Sequence, residues 1–552
     1  MGQSFNIGAD LRAWAERAPA RDAIRFMVPH AGPGRAVGTS LSFAALERLS
    51  NRYARGFAAS GVARGDTVLV LAKPSLDFYA FMFGLFKLGA VPVLMDPGMG
   101  FSALLKCIEQ IGPKHLVAIP VVHAVRQVRR RPFRATQTFV TVGRRWFWGG
   151  ASLEGVYRAA GEDDTPFAMA DFDAGEEACI IFTSGSTGTP KGVSLTHGAF
   201  SKVVRDLTAA FSFTEQDRWM DAFAAFVFFD VCAGMTAVVV EGNLTKPATI
   251  KPEHVVQAIQ EHQCTGAFAS PIVWAQALRY MERQGLELPS LQRAVTTGAP
   301  IAADMHRRFQ AVVEAGVQLH TPYGATECLT TAHIASDEIL GETWERTRAG
   351  HGTCVGRPYP GTAVHIIRLT EDPLPEWSDE LLLPVGEIGE IVAETPVASP
   401  EYKGLPEANA AAKIRKGDQI LHRMGDLGYQ DEQGRLWFCG RKAHRLETAE
   451  GVVPAVPVEG IFNEHPAVFR TALVGMGPRG AEIPVLLVES EQGATWTEEE
   501  LLALAVGTRW EGLVKAVAGH PGFPTDARHN SKIRREDLKA WAENHLRGKL
   551  PG

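Results

Sequence analysis

The stretch Phe182–His197, FTSGSTGTPKGVSLTH, decides how the chain is read, because three glycines, seven hydroxyl-bearing residues and one lysine share sixteen positions. Glycines let backbone N–H groups converge on an anion, Ser and Thr hydroxyls add donors, and a lysine adds charge. Such a loop suits phosphate. The P-loop spacing GxxxxGK[ST] is excluded, since Pro190 precedes Lys191 and Gly192 follows it. GxGxxG is excluded as well, because Gly185, Gly188 and Gly192 stand three and four residues apart. A flexible surface linker is the plainer alternative, but the apolar run ACIIF before the loop and VSLTH after it argue against one.

Outward from the loop, strand-like runs alternate with helix-like stretches, the pattern of an α/β architecture. DTVLVLA from Asp66 reads as a strand, LDFYAFMFGLFKLGA from Leu76 as a largely buried helix, and VPVLMD from Val91 as a strand again. The alternation recurs at ACIIFTS, GAFAS, RAVTTG, VQLHTPYG and IGEIVAE. Several of these strands run straight into small-residue or polar loops, and open parallel sheets bind ligands at such carboxyl ends. A polar connection near residue 370 leads toward a β-rich module, and a second break follows Arg441. The expected organisation is a large N-terminal domain over 1–440, including a β-rich module at about 355–440, and a smaller α+β C-terminal domain over 441–552.

Composition narrows the function classes. With 45% hydrophobic and 21% charged residues in 552, the chain reads as an ordinary globular protein. A net charge of -6 gives no global attraction to nucleic acid or to an anionic membrane. The most apolar run, Ala222–Val240, is broken by Asp230, so no membrane-spanning helix is expected. Charge interrupts every apolar run near the N-terminus, which argues against a secretory signal. Seven scattered cysteines with no CxxC pair suggest reduced thiols, and a cytoplasmic location is expected. The stretch Arg126–Gly150 mixes arginine with aromatics; partner docking or membrane proximity fits it better than nucleic acid.

Further motifs follow the loop in order: TTGAP (Thr296–Pro300), TPYGATE (Thr321–Glu327), GEIGEI from Gly386, HRMGDLGY from His422, GRLWFCGRKAHR from Gly434, and RHNSKIRREDL near the C-terminus. Together with TSGSTGTPKG from Thr183 they resemble the ANL superfamily of adenylate-forming enzymes over nearly the whole chain. The resemblance implies the ANL fold with a mobile C-terminal lid, and ATP with Mg²⁺ as cofactors. It implies that Thr183, Ser184, Gly185, Ser186, Thr187, Gly188 and Lys191 wrap the β- and γ-phosphates, and that Gly298, Ala299 and Pro300 line the adenine slot. Tyr323 and Gly324 would lie against the purine, Thr326 would reach the α-phosphate, Glu327 would ligate Mg²⁺, and Asp426 with Arg441 would hold the ribose. Lys532 would be the catalytic lysine of the lid. Each residue has a blander reading (Tyr323 as a core aromatic, Glu327 as a helix cap, Asp426 as an Asx turn, Arg441 as a surface charge), and the ordered set of motifs outweighs these.

Two departures stand out: Ser531 where the family usually has glycine before the lysine, and Ala443 where relatives place Asp or Lys at the hinge. A third narrows the choice. Glu447–Phe462, ETAEGVVPAVPVEGIF, lacks the glycine-arginine pair of the thiol-transfer loop in acyl-CoA synthetases. Extended similarity is to the OleC-type branch, β-lactone synthetases of bacterial long-chain olefin biosynthesis. That resemblance implies adenylation of a long-chain 2-alkyl-3-hydroxy acid, then ring closure by its own 3-hydroxyl with release of AMP. It also implies pathway partners: a thiolase-like condensing enzyme, a reductase and a β-lactone decarboxylase. The alternatives are a long-chain acyl-CoA or acyl-carrier-protein ligase, and a nucleotide-binding pseudoenzyme. Ring closure needs a base, and His197, His320, His422, His444 and His529 are available by type. The run from Phe223, FAAFVFFDVCAGMTAVVV, reads either as an acyl-site wall or as a buried core helix.

Overall fold

A computed structural model describes residues 5–31, 37–163, 165–183, 190–525 and 533–547. A seven-stranded sheet runs in the order Ala151–Ser152, Thr138–Thr141, His115–Ala118, Thr67–Leu71, Val91–Leu94, Glu177–Thr183, Lys191–Thr196. All its neighbours are parallel except the last pair, a hairpin in which Thr183 lies opposite Lys191. The two ends of the glycine-rich loop are therefore held in register by backbone hydrogen bonds.

A fourteen-stranded sheet forms the second layer. Its parallel part orders Asp22–Ala31, Thr236–Val239, Arg218–Asp221, Gly266–Phe268, Arg293–Val295 and Gln318–Ala325. It turns antiparallel at Gln318–Ala325 with Cys328–Ala335. Thr353–Pro358, Leu436–Arg441, Gln419–Gln430, Gly389–Glu394 and Ala363–Ile367 extend it further. The strands expected as a β-rich module thus hydrogen-bond onto the same sheet, through Ala332 opposite Pro358 and Thr353 opposite Phe438.

One core draws on both sheets, with Val68, Val70 and Val117 from the first and Ile24, Met220 and Val238 from the second. Leu76–Leu88 runs through it, and its apolar character on every face suits a helix with no solvent side. Ser75 starts the helix by accepting the Phe78 N–H, and Gly89 at φ 83° ends it. Each large apolar side chain fully buried there contributes about 1.5–3 kcal/mol. The exception is Lys87, whose side chain is fully buried yet bonded to Glu47 Oε2 at 2.5 Å, Ser50 Oγ at 2.7 Å and Asn51 Oδ1 at 2.7 Å. Burial pulls its pKa down to about 8 against the pull of Glu47.

Beyond residue 441 the chain builds a separate three-stranded sheet, Val468–Met476, Ile483–Ser490 and Ala516–Gly519. The helix Arg535–Leu546 packs Leu538 and Ala542 onto it. This part touches the larger one where the Trp510 indole N–H donates to the Gly350 carbonyl at 2.7 Å, at a glycine whose φ is 85°.

Candidate active site

A cavity of about 1550 Å³ opens between the sheets. It is larger than the ~300–1,000 Å³ of ordinary small-molecule sites. Thr183, Lys191, Gly298, Tyr323, Gly324, Thr326, Glu327 and Arg441 line its polar end, so residues from four separate motifs converge on one space. Ala299 and Pro300 are not among the lining residues, and Asp426 lies behind Tyr323 and Arg441. Ser184, Gly185, Ser186, Thr187, Gly188, His529, Ser531 and Lys532 lie outside the described residues.

Thr326 and Glu327 are the two turn residues of a hairpin, because Ala325 pairs with Cys328 across it. Glu327 accepts the Tyr402 hydroxyl at 2.7 Å. Tyr402 is 3% exposed, and its ring carries an ammonium on each of two contacts, Lys191 Nζ at 4.7 Å and Lys413 Nζ at 5.2 Å from the centroid. Burial lowers the Lys413 pKa to about 8, opposed by Cys328 and Glu327. Lys191 and Glu327 therefore share the polar end, with Lys413 behind them on the Ser399 carbonyl at 2.6 Å, which suits an anionic ligand that brings its own metal. A magnesium ion fits this chemistry: it is usually held by one or two carboxylates plus substrate phosphates, and Glu327 supplies one carboxylate.

The second polar group is Tyr323, Asp426 and Arg441. The Tyr323 hydroxyl donates to Asp426 Oδ2 at 2.6 Å, and Arg441 Nη1 lies 2.8 Å from Asp426 Oδ1. Asp426 faces Arg441 because Gln419–Gln430 and Leu436–Arg441 are neighbouring strands with these two residues in register. Burial, then the Asp426 charge, drives the Tyr323 hydroxyl well above its ordinary pKa, so it stays a donor. Gly298 adopts φ 106°, a conformation that favours glycine, directly after the strand Arg293–Val295. Thr297 braces the same loop by donating to the Pro322 carbonyl at 2.7 Å.

The sequence matches the AMP-binding enzyme family over residues 11–403. The chain belongs to the AMP-binding enzyme family. An olefin β-lactone synthetase of Stenotrophomonas maltophilia is 41% identical over 557 residues, covering 99% of each chain. One of Xanthomonas campestris is 40% identical over 550 residues, covering 97% of each. The amide bond synthetase McbA of Marinactinospora thermotolerans superposes with a TM-score of 0.78 at 22% identity, over 97% of this chain and 99% of that one. That likeness establishes the ANL fold, with a large layered α/β part and a smaller C-terminal part.

Much of the rest of this AMP-binding enzyme's cavity is apolar, although charged groups such as Asp96, Glu241 and Arg445 also border it. Phe223, Phe226, Phe228 and Phe229 face it, while Asp230, Val231 and Cys232 of the same helix, Phe226–Ala233, point into the core. The run therefore supplies a cavity wall on one side and a buried core face on the other. Phe226 stacks on Phe268 at 3.9 Å and Phe229 meets Phe200 at 4.8 Å, which stiffens the wall. A further apolar wall comes from Phe101, Leu104 and Ile108 of Phe101–Ile111 and from Val121, Val122 and Val125 of Pro120–Val128. At the edge of the core, Asp221 and Asp230 are both buried. Burial and the neighbouring charge hold Asp221 well above the usual carboxylate range, and burial pushes Asp230 up to about 7.

Of the histidines singled out by type, His422 lines the cavity of this enzyme, whereas His197, His320 and His444 do not. His197 stacks on Phe172 at 4.1 Å and His320 meets His333 at 3.1 Å, both structural placements. His422 is 2% exposed, and its Nδ1 is buried with no hydrogen-bond partner among the described residues. Burial, then the Lys413 charge, holds its pKa well below 6.5, so the ring is neutral. Tyr402, Lys413 and Thr330 are cavity or cavity-flanking residues that no motif announces. Thr330 takes φ 62°, a strained choice for a β-branched residue, and its hydroxyl donates to Asp206 beside Lys202.

Proposed function

We propose that this enzyme converts a long-chain 2-alkyl-3-hydroxy acid to its β-lactone, using ATP and releasing pyrophosphate and AMP. The observation that carries the reading is end-to-end similarity, at 41% identity, to an olefin β-lactone synthetase. The cavity adds support, since it joins a polar end carrying Lys191 and Arg441 to extended apolar walls suited to two alkyl arms.

In the first step a carboxylate oxygen attacks the α-phosphorus of ATP and the bond to pyrophosphate breaks. Lys191 and Lys413 offset the charge of the two anions that must meet, and Thr326 donates to an α-phosphate oxygen. Arg441 and Asp426 orient the ribose, Tyr323 and Gly298 border the purine, and Lys532 bridges carboxylate and phosphate from the C-terminal part. Glu327 would hold Mg²⁺, which when bound neutralises phosphate charge. In the second step the 3-hydroxyl oxygen attacks the acyl carbonyl, the bond to AMP breaks, and the hydroxyl proton goes to His422. The nucleophile is tethered to its target, so no second substrate has to be ordered. The same reading divides the chain into 1–440, the adenylation domain, and 441–552, the lid, and puts the protein in the cytoplasm beside a condensing enzyme, a reductase and a β-lactone decarboxylase.

The test is to supply a 2-alkyl-3-hydroxy acid and ATP with and without coenzyme A, and to identify products by mass spectrometry. A β-lactone formed with no thiol present is the expected result. Strict dependence of AMP release on a thiol, with a thioester product, overturns the reading in favour of an acyl-CoA ligase.

A further inference from the structure

Between Glu109 and Glu154 the chain carries seven arginines and one lysine and no carboxylate side chain, in a protein whose net charge is -6. Of those arginines, Arg131 alone has an ion-pair partner among the described residues, Glu109 at 2.6 Å. The same segment holds a cluster of exposed apolar side chains: Phe101 at 54%, Val121 at 61%, Val128 at 81%, Trp146 at 59% and Phe147 at 82%.

These groups form one surface. Val121, Val125 and Val128 repeat along one side of the helix Pro120–Val128. His123 of that helix stacks on Trp148 at 5.9 Å, and Trp148 meets Trp146 at 5.6 Å and Phe147 at 5.5 Å. Arg126 ties the helix to the aromatic loop by donating to the Trp148 carbonyl at 2.5 Å. Trp148 itself is buried and bonded to Thr141, so it serves as a base from which Trp146 and Phe147 project. Phe101 and Val121 are exposed and also line the cavity, which places the mouth of its apolar wall at this patch.

We propose that this surface docks the protein onto an anionic lipid bilayer, with Trp146 and Phe147 entering the headgroup region and the arginines meeting lipid phosphates. Amphipathic aromatics sit well at that depth, and guanidinium groups bind phosphate in pairs of hydrogen bonds. Apolar insertion and cationic attraction together supply the two signals that stable peripheral binding needs. An acidic protein partner would match the charge but would leave the cavity mouth under Phe101 and Val121 without a role. A membrane gives it one, as the entry for a water-insoluble chain. That role rests on the long-chain reading above; the docking itself does not.

The experiment is co-sedimentation of the full chain with phosphatidylglycerol-containing vesicles and with pure phosphatidylcholine vesicles, at low and high salt. Binding to the anionic vesicles that weakens with salt is expected, together with at least a tenfold fall in partitioning for W146A/F147A and for R129E/R130E/R144E. Circular dichroism and pyrophosphate exchange with a water-soluble 3-hydroxy acid serve as controls and are expected to be unchanged in both variants. Failure to sediment with anionic vesicles overturns the proposal, as does equal binding by wild type and variants. So does a protein complex broken by these substitutions when vesicles are not bound. The vesicle assay contains no substrate, so its failure leaves the lactone-forming reading untouched.

Discussion

The Tyr402 hydroxyl donates to Glu327 Oε1 at 2.7 Å, linking a residue near the end of the family-matched region to the turn of the Gln318–Ala335 hairpin. This bond fixes the direction of a carboxylate at the polar end of the cavity, through a tyrosine whose ring contacts two lysines.

Tyr402→Phe keeps the ring and its contacts with Lys191 and Lys413 but releases Glu327. A hydrogen bond to a charged group is worth about 1.5–3 kcal/mol. The concentration of Mg²⁺ for half-maximal pyrophosphate release is therefore expected to rise by roughly tenfold or more. An unchanged Mg²⁺ titration would remove Glu327 from the metal site.

His422→Gln separates the two half-reactions. The variant is expected to retain ATP–pyrophosphate exchange while lactone formation falls roughly 10²–10⁴-fold, the range for loss of a general base. Acyl-adenylate should accumulate and be trapped by hydroxylamine. Because burial depresses the His422 pKa well below 6.5, the acid limb of the lactone step in the wild type should not lie near 6.5. Equal loss of both half-reactions would assign His422 to nucleotide binding.

The buried carboxyls of Asp221 and Asp230 give a pH-dependent stability with a definite sign. Their pKa values are raised by burial, Asp230 to about 7, so the native state holds protons that the unfolded chain releases above 3.8. Their stabilising contribution is present below pH 3.8 and is lost as pH rises toward 7. His197 and His320, lowered by burial to about 4 and about 3, act oppositely and lose stability as pH falls from 6.5. Comparing Asp230→Asn with wild type isolates the carboxyl effect. Between pH 4 and 7 the wild type is expected to lose up to roughly 4 kcal/mol relative to the variant, measured by urea denaturation. Parallel stability curves would show that Asp230 carries no extra proton in the native state.

Lys87→Met leaves Glu47 buried beside Ser50 and Asn51, with Arg12 at 3.2 Å as its remaining cation. Breaking one side of a buried ion pair costs about 3–5 kcal/mol when no other cation remains, so with Arg12 in place a loss below that range is expected. The urea midpoint should fall accordingly, and Glu47→Gln added to Lys87→Met should recover part of the loss. A midpoint within error of wild type would mean that Arg12 alone balances Glu47.

The buried helix Leu76–Leu88 was legible because its composition is apolar on every face and Ser75 and Gly89 bracket it. Tyr323, Asp426 and Arg441 were legible as a group because ordered motifs carry them, even though their meeting depends on the register of Gln419–Gln430 against Leu436–Arg441. Tyr402 and Lys413 carried no comparable signal: their contacts, with Glu327 and Lys191 for the tyrosine and with the Tyr402 ring for the lysine, are made by folding, and no local spacing encodes them. Thr330 was hidden for the opposite reason, since local propensity argues against a β-branched residue at φ 62°. The choice of His422 among several histidines also required three dimensions, because residue type is the same at every candidate and only its burial at the cavity differs.

Thr326 and Glu327 occupy one tight reversal of the chain, so the group proposed for phosphate and the group proposed for the cation are aimed by a single set of strand pairings. Neither can be retuned alone. Sliding one strand of that hairpin by a residue would carry both out of the turn together, so the spacing between oxyanion and ion is built in as a constant of the backbone.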